Sequence, residues 1–499
     1  MKILLFCHLG QILEYAEYIR AFRKIRRVEA VLLTMGQDEY DLASRTGEFD
    51  AVKDILPSSA ELDRSDIDES LASLSLRELE QRLGFNFVNR DILTDRWFGM
   101  QSLRTIDSSV VPQIWSGPRT RQFMYLLYKR LDEEIAAFSS GVLFVETSFA
   151  PTRMAWRLAR EKGIPAGGFM AVRFWQDRLY FETGIGYDWH EARTAYADLK
   201  LNPVLGDELA IVRDRLHAIR VAKAKPAYLQ TNHAKGAPGF LERVRTVRLF
   251  TGDGGWLGSR SRTFTVNPQV FPPQSFSPWS KIRRYMSGRR AKRFLLKHET
   301  PFSAFKARKY AIYFLHVQPE ITVEGMAFDH QDQLNTLRNI LAALPADMYL
   351  VVKEHSPMLG FRSLNFYDQL LRLPGLIIAP TKEDSHDLIL HSSVVATLTG
   401  TVALEAVLYG IPAIVLGSIY FDNFSGIYKA DSLDELRALL ADPRKLPGAT
   451  EDEALLALAS LLRASKPGKP ARVDVSSASV DSKSATVMLS ELDRLLKKK

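Results

Sequence analysis

A chain of 499 residues is too long for one compact core, and two domains with connecting segments are the natural division. Apolar side chains make up 46% of it, which excludes a wholly disordered polymer, and its single cysteine, Cys7, excludes a disulfide framework or a cysteine-rich metal centre. The net charge of +8 is unevenly placed: between Lys281 and Tyr310 eleven Lys or Arg stand against one acid, Glu299, so that segment carries +10 and the rest of the chain sums to −2.

Ile3 to Cys7 is predicted as a strand in which Cys7 is a small buried residue. Gln11 to Arg27 follows as a helix with Ile12, Tyr15, Ala16, Ile19 and Phe22 on one face, and Val28 to Thr34 as a second strand. This is the opening of a doubly wound α/β sheet. His8-Leu9-Gly10 occupies the first strand-to-helix turn but lacks the full Gly-x-Gly-x-x-Gly run of a dinucleotide fingerprint. The apolar run before it is too short for a signal-peptide core, and nothing approaches the ~20 apolar residues of a membrane span, so the cytoplasm is the expected location. Residues 37–120 read as an insertion, acidic and Ser-rich from Asp54 to Glu80. Asp66-Ile67-Asp68 has the Asp-x-Asp form of a metal clamp, yet two acids at an acidic helix start carry little weight, and no metal site is predicted.

Arg119 to Ala137 has the spacing of an amphipathic helix, and Gly141 to Val145 that of a strand emptying into Glu146-Thr147-Ser148. A helix carrying Ala155, Trp156, Leu158 and Ala159 and a strand from Ala166 to Val172 complete the unit. A carboxylate at the strand end, Glu146, is placed to take a proton from a hydroxyl or to bind sugar hydroxyls; the alternative is an acid favoured by a helix start. Arg173 and Arg178 either meet an anionic ligand or pair with local acids. Glu191 to Ala224 is predicted as one long helix. Asn267-Pro268, Pro272-Pro273 and Pro278 then interrupt regular structure, so residues 1–265 form the N-terminal domain and 266–305 a Pro-rich, basic linker. Its aromatic and apolar residues, among them Tyr285, Met286, Phe294 and Leu295, fit contact with an anionic leaflet or a phosphate-bearing acceptor; a solvated linker is the alternative. Nucleic acid is disfavoured, because no zinc spacing or RNA-binding signature accompanies the basic residues.

The C-terminal domain, 306–445, opens with the strand Tyr310 to Leu315, which leads to His316-Val317-Gln318-Pro319-Glu320. Asp329 and Asp332 precede a helix from Gln333 to Leu344, as caps or as ligand contacts. The strand Tyr349 to Lys353 empties into Glu354-His355-Ser356-Pro357. The strand Val394 to Leu398 empties into Thr399-Gly400-Thr401 and a helix that Gly410 stops, and Ala413 to Leu416 is the next strand. Ligands of open α/β sheets sit beyond the carboxyl ends of the strands, so these loops are expected on one rim. Gly400 lets backbone approach closely, while Thr399, Thr401 and the helix start form a phosphate seat. His355 is placed to donate to the same phosphate, Lys353 adds charge, Glu405 suits ribose hydroxyls, and Arg362 suits a sugar carboxylate. The alternative is that Thr399 caps the helix and His355 is a loop histidine. His386, on a short helix from Ser385 to Leu390, reads as a surface residue. Residues 446–499 read as a helical, partly disordered tail: a helix from Asp452 to Arg463, low complexity over 464–484, and a last helix from Ala485 to Leu496 for which docking back on the body, touching a membrane and fraying are the open alternatives.

The runs "VVKEHSPMLGFRS", "TLTGTVALEAVLYGIPAIVLG" and "YFLHVQPE" resemble the C-terminal half of capsular polysaccharide synthesis proteins, the group that includes bacterial Kdo transferases. The resemblance covers about residues 308–440. It implies an α/β, GT-B-like fold: two Rossmann-like doubly wound domains facing a cleft. The implied activity is transfer of a sugar from a nucleotide-sugar donor, CMP-linked among the candidates, to a surface or capsular polysaccharide or glycolipid, without metal or cofactor. Under it Glu146, Glu320 and His355 are the catalytic candidates, and Gln318, Lys353, Arg362, Thr399, Gly400, Thr401 and Glu405 the substrate-binding ones. Related bacterial sialyltransferases hold the CMP phosphate with a His-Pro pair and a Ser/Thr pair. Here the first is interrupted as His355-Ser356-Pro357 and the second corresponds to Thr399-Gly400-Thr401. A sugar-nucleotide epimerase of the same fold and a non-catalytic capsule-assembly component are the competing readings. Peripheral contact with the inner face of the membrane through 281–310 goes with the first.

Overall fold

The chain builds two largely parallel sheets whose first six strands share one order. In the computed structural model the residues described are 1–6, 11–57, 59–62, 69–95, 117–138, 140–175, 177–186, 188–223, 278–318, 320–471 and 480–497. The N-terminal sheet holds β1 (Lys2–Phe6), β2 (Glu29–Thr34), β3 (Ala51–Asp54), β4 (Val142–Val145), β5 (Ala166–Ala171) and β6 (Arg178–Glu182). They lie side by side as β6-β5-β4-β1-β2-β3, with β1 to β5 parallel and β6 antiparallel on β5. The C-terminal sheet holds β7 (Tyr310–Phe314), β8 (Tyr349–Lys353), β9 (Leu376–Ile378), β10 (Val394–Thr397), β11 (Ala413–Val415) and β12 (Ile427–Lys429), all parallel in the order β12-β11-β10-β7-β8-β9. Each sheet therefore reverses its winding beside its own first strand, the arrangement of a Rossmann-like doubly wound domain. Strands covered on both faces should be apolar throughout, and β4 and β10 are buried at every residue.

Two predicted boundaries shift, each for a local reason. The long helix predicted from Glu191 is two helices, His190–Leu201 and Glu208–Arg220, because Pro203 cannot continue the first. Part of the segment read as a linker is the helix Pro278–His298, which starts on its proline and buries Ala291 and Leu295. Its Gly288 lies so close to Gly360 that a side chain at 288 would run into the Gly360 carbonyl, which ties the helix to the loop after β8.

The segment read as a tail returns to the N-terminal half. The helix Glu451–Ala464 starts on a capping box between Thr450 and Glu453 and buries Leu455, Leu458 and Leu461 against the two helices 190–201 and 208–220. β13 (Lys466–Pro467) pairs antiparallel with β6, and Arg178 is spent on this return, donating to Ser465 Oγ at 2.6 Å and to the Leu462 carbonyl at 2.8 Å. The helix Ser482–Lys497 buries Met488, Leu489 and Leu492 beside the helix Ile12–Arg23. A single apolar cluster joins the halves on this side: Trp189, Tyr196 and Val212 share it with Leu404, Phe421 and Leu455. Cys7, His8, the Asp66-Ile67-Asp68 run and residues 472–479 of the low-complexity stretch fall outside the described residues, as does the Pro-rich part of the expected linker.

Candidate functional site

The winding of the C-terminal sheet reverses between β7 and β10, which pair from Ala311 with Val394 to Tyr313 with Ala396. A crevice opens beyond the carboxyl ends of two such strands. Two residues past β7, half-buried His316 stands at this point. Its Nε2 is 2.9 Å from Thr397 Oγ1 and accepts from the Leu398 N–H at 3.2 Å, while the Gly400 N–H donates to Thr397 Oγ1 at 3.2 Å. Because Nε2 accepts the amide, the Thr397 hydroxyl donates to the ring and Nδ1 carries the proton. Burial first, then the charges of His355 and Arg362, push the His316 pKa down to about 3, so the ring is neutral at physiological pH. The loop after β10 is thus knotted to the loop after β7, with His355 of the β8 loop close enough to act on the same imidazole. A side chain at Gly400 would meet Thr397 Oγ1 at 2.6 Å and His316 Cε1 at 3.3 Å, so glycine is required for this packing.

The expected residues divide around this knot. His355 has its backbone N–H fixed by Glu354 Oε1 at 2.8 Å. Glu354, 1% exposed, also accepts from Arg362 Nε at 2.8 Å and from Tyr367 Oη at 2.7 Å. Arg362, read as a clamp for a sugar carboxylate, is 1% exposed and occupied by that ion pair and by the His316 carbonyl. Gln318 is buried in a relay: its Nε2 donates to the Gln331 carbonyl at 2.8 Å, and its Oε1 accepts from Gln333 Nε2 at 2.6 Å. Gln333 in turn accepts the His316 N–H at 2.9 Å, so both glutamines shape the β7 loop. Thr399 is buried and donates its hydroxyl to the Thr322 carbonyl at 2.8 Å, tying the loop to the short helix Ile321–Glu324. Glu320 precedes that helix, half-buried, and accepts from the Thr322 hydroxyl at 2.9 Å.

Thr401 is the half-buried N-cap residue of the helix Val402–Leu408 and makes no side-chain cap, and Glu405 is buried one turn on. Lys353 is buried and donates to the Thr381 carbonyl at 3.2 Å, so its ammonium serves the fold of the neighbouring loop. His386, expected on the surface, is fully buried with Nδ1 2.7 Å from Tyr409 Oη, because its helix packs on the helix Val402–Leu408. Asp332 caps the helix Gln333–Ala343 by accepting from the Leu334 and Asn335 N–H groups.

In the N-terminal half Glu146 follows β4 at the equivalent switch between β1 and β4, half-buried. The groups facing the C-terminal half there are Arg90, Asp91, Arg153 and Arg157, which line a cavity of about 550 Å³ with Ile321, Met326 and Ser418 on its other wall. Sequence reasoning missed His316, Thr397 and these arginines. Thr397 is hidden inside a β-branched run. Arg153 and Arg157 had a signal: they fall four apart on the same helical stripe as Ala150, Met154 and Leu158, which makes that stripe internal and the arginines buried.

The sequence of the C-terminal half is similar to one known family. Residues 278–458 match the family described as capsule polysaccharide biosynthesis protein. The match begins at the first residue of the basic helix and runs into the helix that returns to the N-terminal half, so it encloses the whole knot. No curated protein matches the chain. Among solved structures, a Thermosulfurimonas dismutans KpsC described as a beta Kdo 2,4 transferase is 12% identical at a TM-score of 0.32, covering 63% of this chain and 78% of that one. The beta Kdo 2,7 transferase of the same protein is 13% identical at 0.34, covering 74% and 90%. A putative UDP-N-acetylglucosamine 2-epimerase from Listeria monocytogenes is 12% identical at 0.27, covering 100% and 97%. Scores this low add nothing to the fold assignment, which rests on the strand order of the two sheets.

Proposed function

We propose that this protein is a GT-B-type glycosyltransferase that moves a sugar from a nucleotide-sugar donor, seated at the β7–β10 crevice, to a glycan or glycolipid acceptor of a surface polysaccharide. The observation that carries the reading is the knot of His316, Thr397 and Gly400 at the switch point, with His355 beside it, inside the residues that match the capsule family. Neutral His316 holds the backbone of 398–400 as a positioning residue. Gly400 and Thr401 then meet the phosphate, and His355 donates to its oxygens as the glycosidic bond breaks, stabilising the charge that develops on the leaving nucleotide. Glu405 receives the ribose hydroxyls. Glu146 or Glu320 takes the acceptor proton, each from a different side of the cleft. This scheme asks for no metal or other cofactor. Arg362, Gln318 and Lys353 act from behind, holding the loops.

The basic helix Pro278–His298 exposes Met286, Arg289, Arg290, Lys292, Arg293, Leu296 and Lys297 on its outer side, and no helix among the described residues is long and apolar enough to cross a membrane. We assign to that helix a peripheral contact with an anionic leaflet, which would bring a lipid-linked acceptor to the cleft. Incubation with CMP-, UDP-, GDP- and CDP-sugars tests the transfer: nucleotide release that requires an added glycan acceptor supports it. A sugar isomer formed without acceptor would identify an epimerase, and absence of turnover or binding with every nucleotide would leave the assembly-component reading.

A further inference from the structure

The cavity between the halves has an unusual charge balance. Asp91, Arg153 and Arg157 are 4%, 2% and 8% exposed. The single carboxylate accepts from Arg153 Nε at 2.8 Å and from Arg157 Nη1, so two desolvated guanidinium groups share one negative charge. The Arg157 plane lies on Phe87, 4.2 Å from the ring centre, and its Nε has no hydrogen-bond partner. Arg90 adds a further positive charge at the mouth. It donates to the Gly325 carbonyl at 3.1 Å, and no carboxylate pairs with it among the described residues. The remaining acid on the wall, Asp188, is 3.5 Å from Arg193, which also binds Asp422 of the other half.

A buried cation without a matching anion is costly, and the cost is removed when an anion is supplied. Burial accordingly lowers the Arg157 pKa, with Asp91 opposing and Arg153 and Arg90 adding to the effect. Guanidinium planes stacked on an aromatic face present their edge to a planar or tetrahedral oxyanion. The opposite wall begins at Ile321, in the helix that takes the Thr399 hydroxyl on the Thr322 carbonyl, so the cavity is one short helix away from the Gly400 loop.

We propose that this cavity is an oxyanion site, in which Arg90 and Arg157 hold a carboxylate or phosphate group borne by the substrate that meets the nucleotide across the cleft. The placement rests on the transferase reading; the anion binding does not. The test is thermal unfolding of the full chain in sodium phosphate, sodium acetate and sodium chloride of equal ionic strength, with a saturating nucleotide present so that the nucleotide seat is filled. The site predicts stabilisation by phosphate or acetate beyond that by chloride, and whichever of the two acts names the group. Arg157→Gln abolishes the difference, and Arg90→Gln weakens the apparent affinity by about tenfold, as loss of one charge-assisted contact should. Nucleotide affinity stays within about twofold in both variants. Equal stabilisation by all three salts overturns the proposal, as does an anion effect that survives Arg157→Gln. Should Arg157→Gln not fold, Arg90→Gln decides alone, since Arg90 is exposed and outside the buried pair. Loss of nucleotide binding in the wild type would instead strike the transferase reading and leave the anion site standing.

Discussion

His316 makes the stability of the C-terminal half depend on pH in a calculable way. In the unfolded chain its imidazole titrates near 6.5, whereas in the folded protein burial and the neighbouring positive charges hold it at about 3. The unfolded state therefore binds the extra proton between those values, and stability contributed by neutral His316 is fully present above pH 6.5 and is lost as the pH falls toward 3. Each pH unit below 6.5 costs about 1.4 kcal/mol, so a fall from pH 7.5 to pH 5 removes about 2 kcal/mol. His316→Gln keeps an acceptor for the Leu398 N–H but cannot protonate, so it should cost about 1 kcal/mol at pH 7.5 and lose most of the acid slope. Urea unfolding at pH 7.5, 6.5, 5.5 and 5.0, comparing wild type and variant, reads this directly. An acid slope unchanged by His316→Gln would mean that the imidazole is not held neutral in the crevice, and the derivation of the knot would fail.

Three further outcomes follow from the same contacts. Gly400→Ala places a methyl 2.6 Å from Thr397 Oγ1, so it should weaken nucleotide binding by about tenfold or more while circular dichroism stays unchanged, since the strain is confined to one loop. Asp91→Asn leaves Arg153 and Arg157 without their shared counter-charge and should destabilise the protein by about 3–5 kcal/mol in denaturant unfolding; a cost below about 1 kcal/mol would refute the buried pairing. Leu458→Ala, at a fully buried position of the returning helix, should cost about 2–5 kcal/mol. If 446–499 were a loose tail instead, the same substitution would cost almost nothing.

The sheets were legible because buried parallel strands write themselves as short β-branched runs, and Tyr310 to Phe314, Tyr349 to Lys353 and Val394 to Thr397 stand where expected. The rim was legible as well, since residues that follow such runs must gather at one end of the sheet. What the runs could not convey was which rim side chains point into the crevice. Arg362 and Gln318 look like ligand contacts in a linear reading, yet their partners, Glu354 and Gln333, are brought to them only by packing. The return of the chain after residue 450 was hidden for a related reason: the helix Glu451–Ala464 is apolar nearly all round, and nothing local says which domain it covers. Pro203 and the helix starting at Pro278 were missed because proline was read as a general breaker in the second case and overlooked in the first.

The central claim is that the crevice between β7 and β10 seats a nucleotide through the loop that His316 holds. Calorimetric titration of CMP, UDP, GDP and CDP into wild type and Gly400→Ala measures it most directly. Saturable binding of one of the four by the wild type, weakened about tenfold or more in the variant, is the predicted result. Binding of equal strength in both proteins would contradict the account.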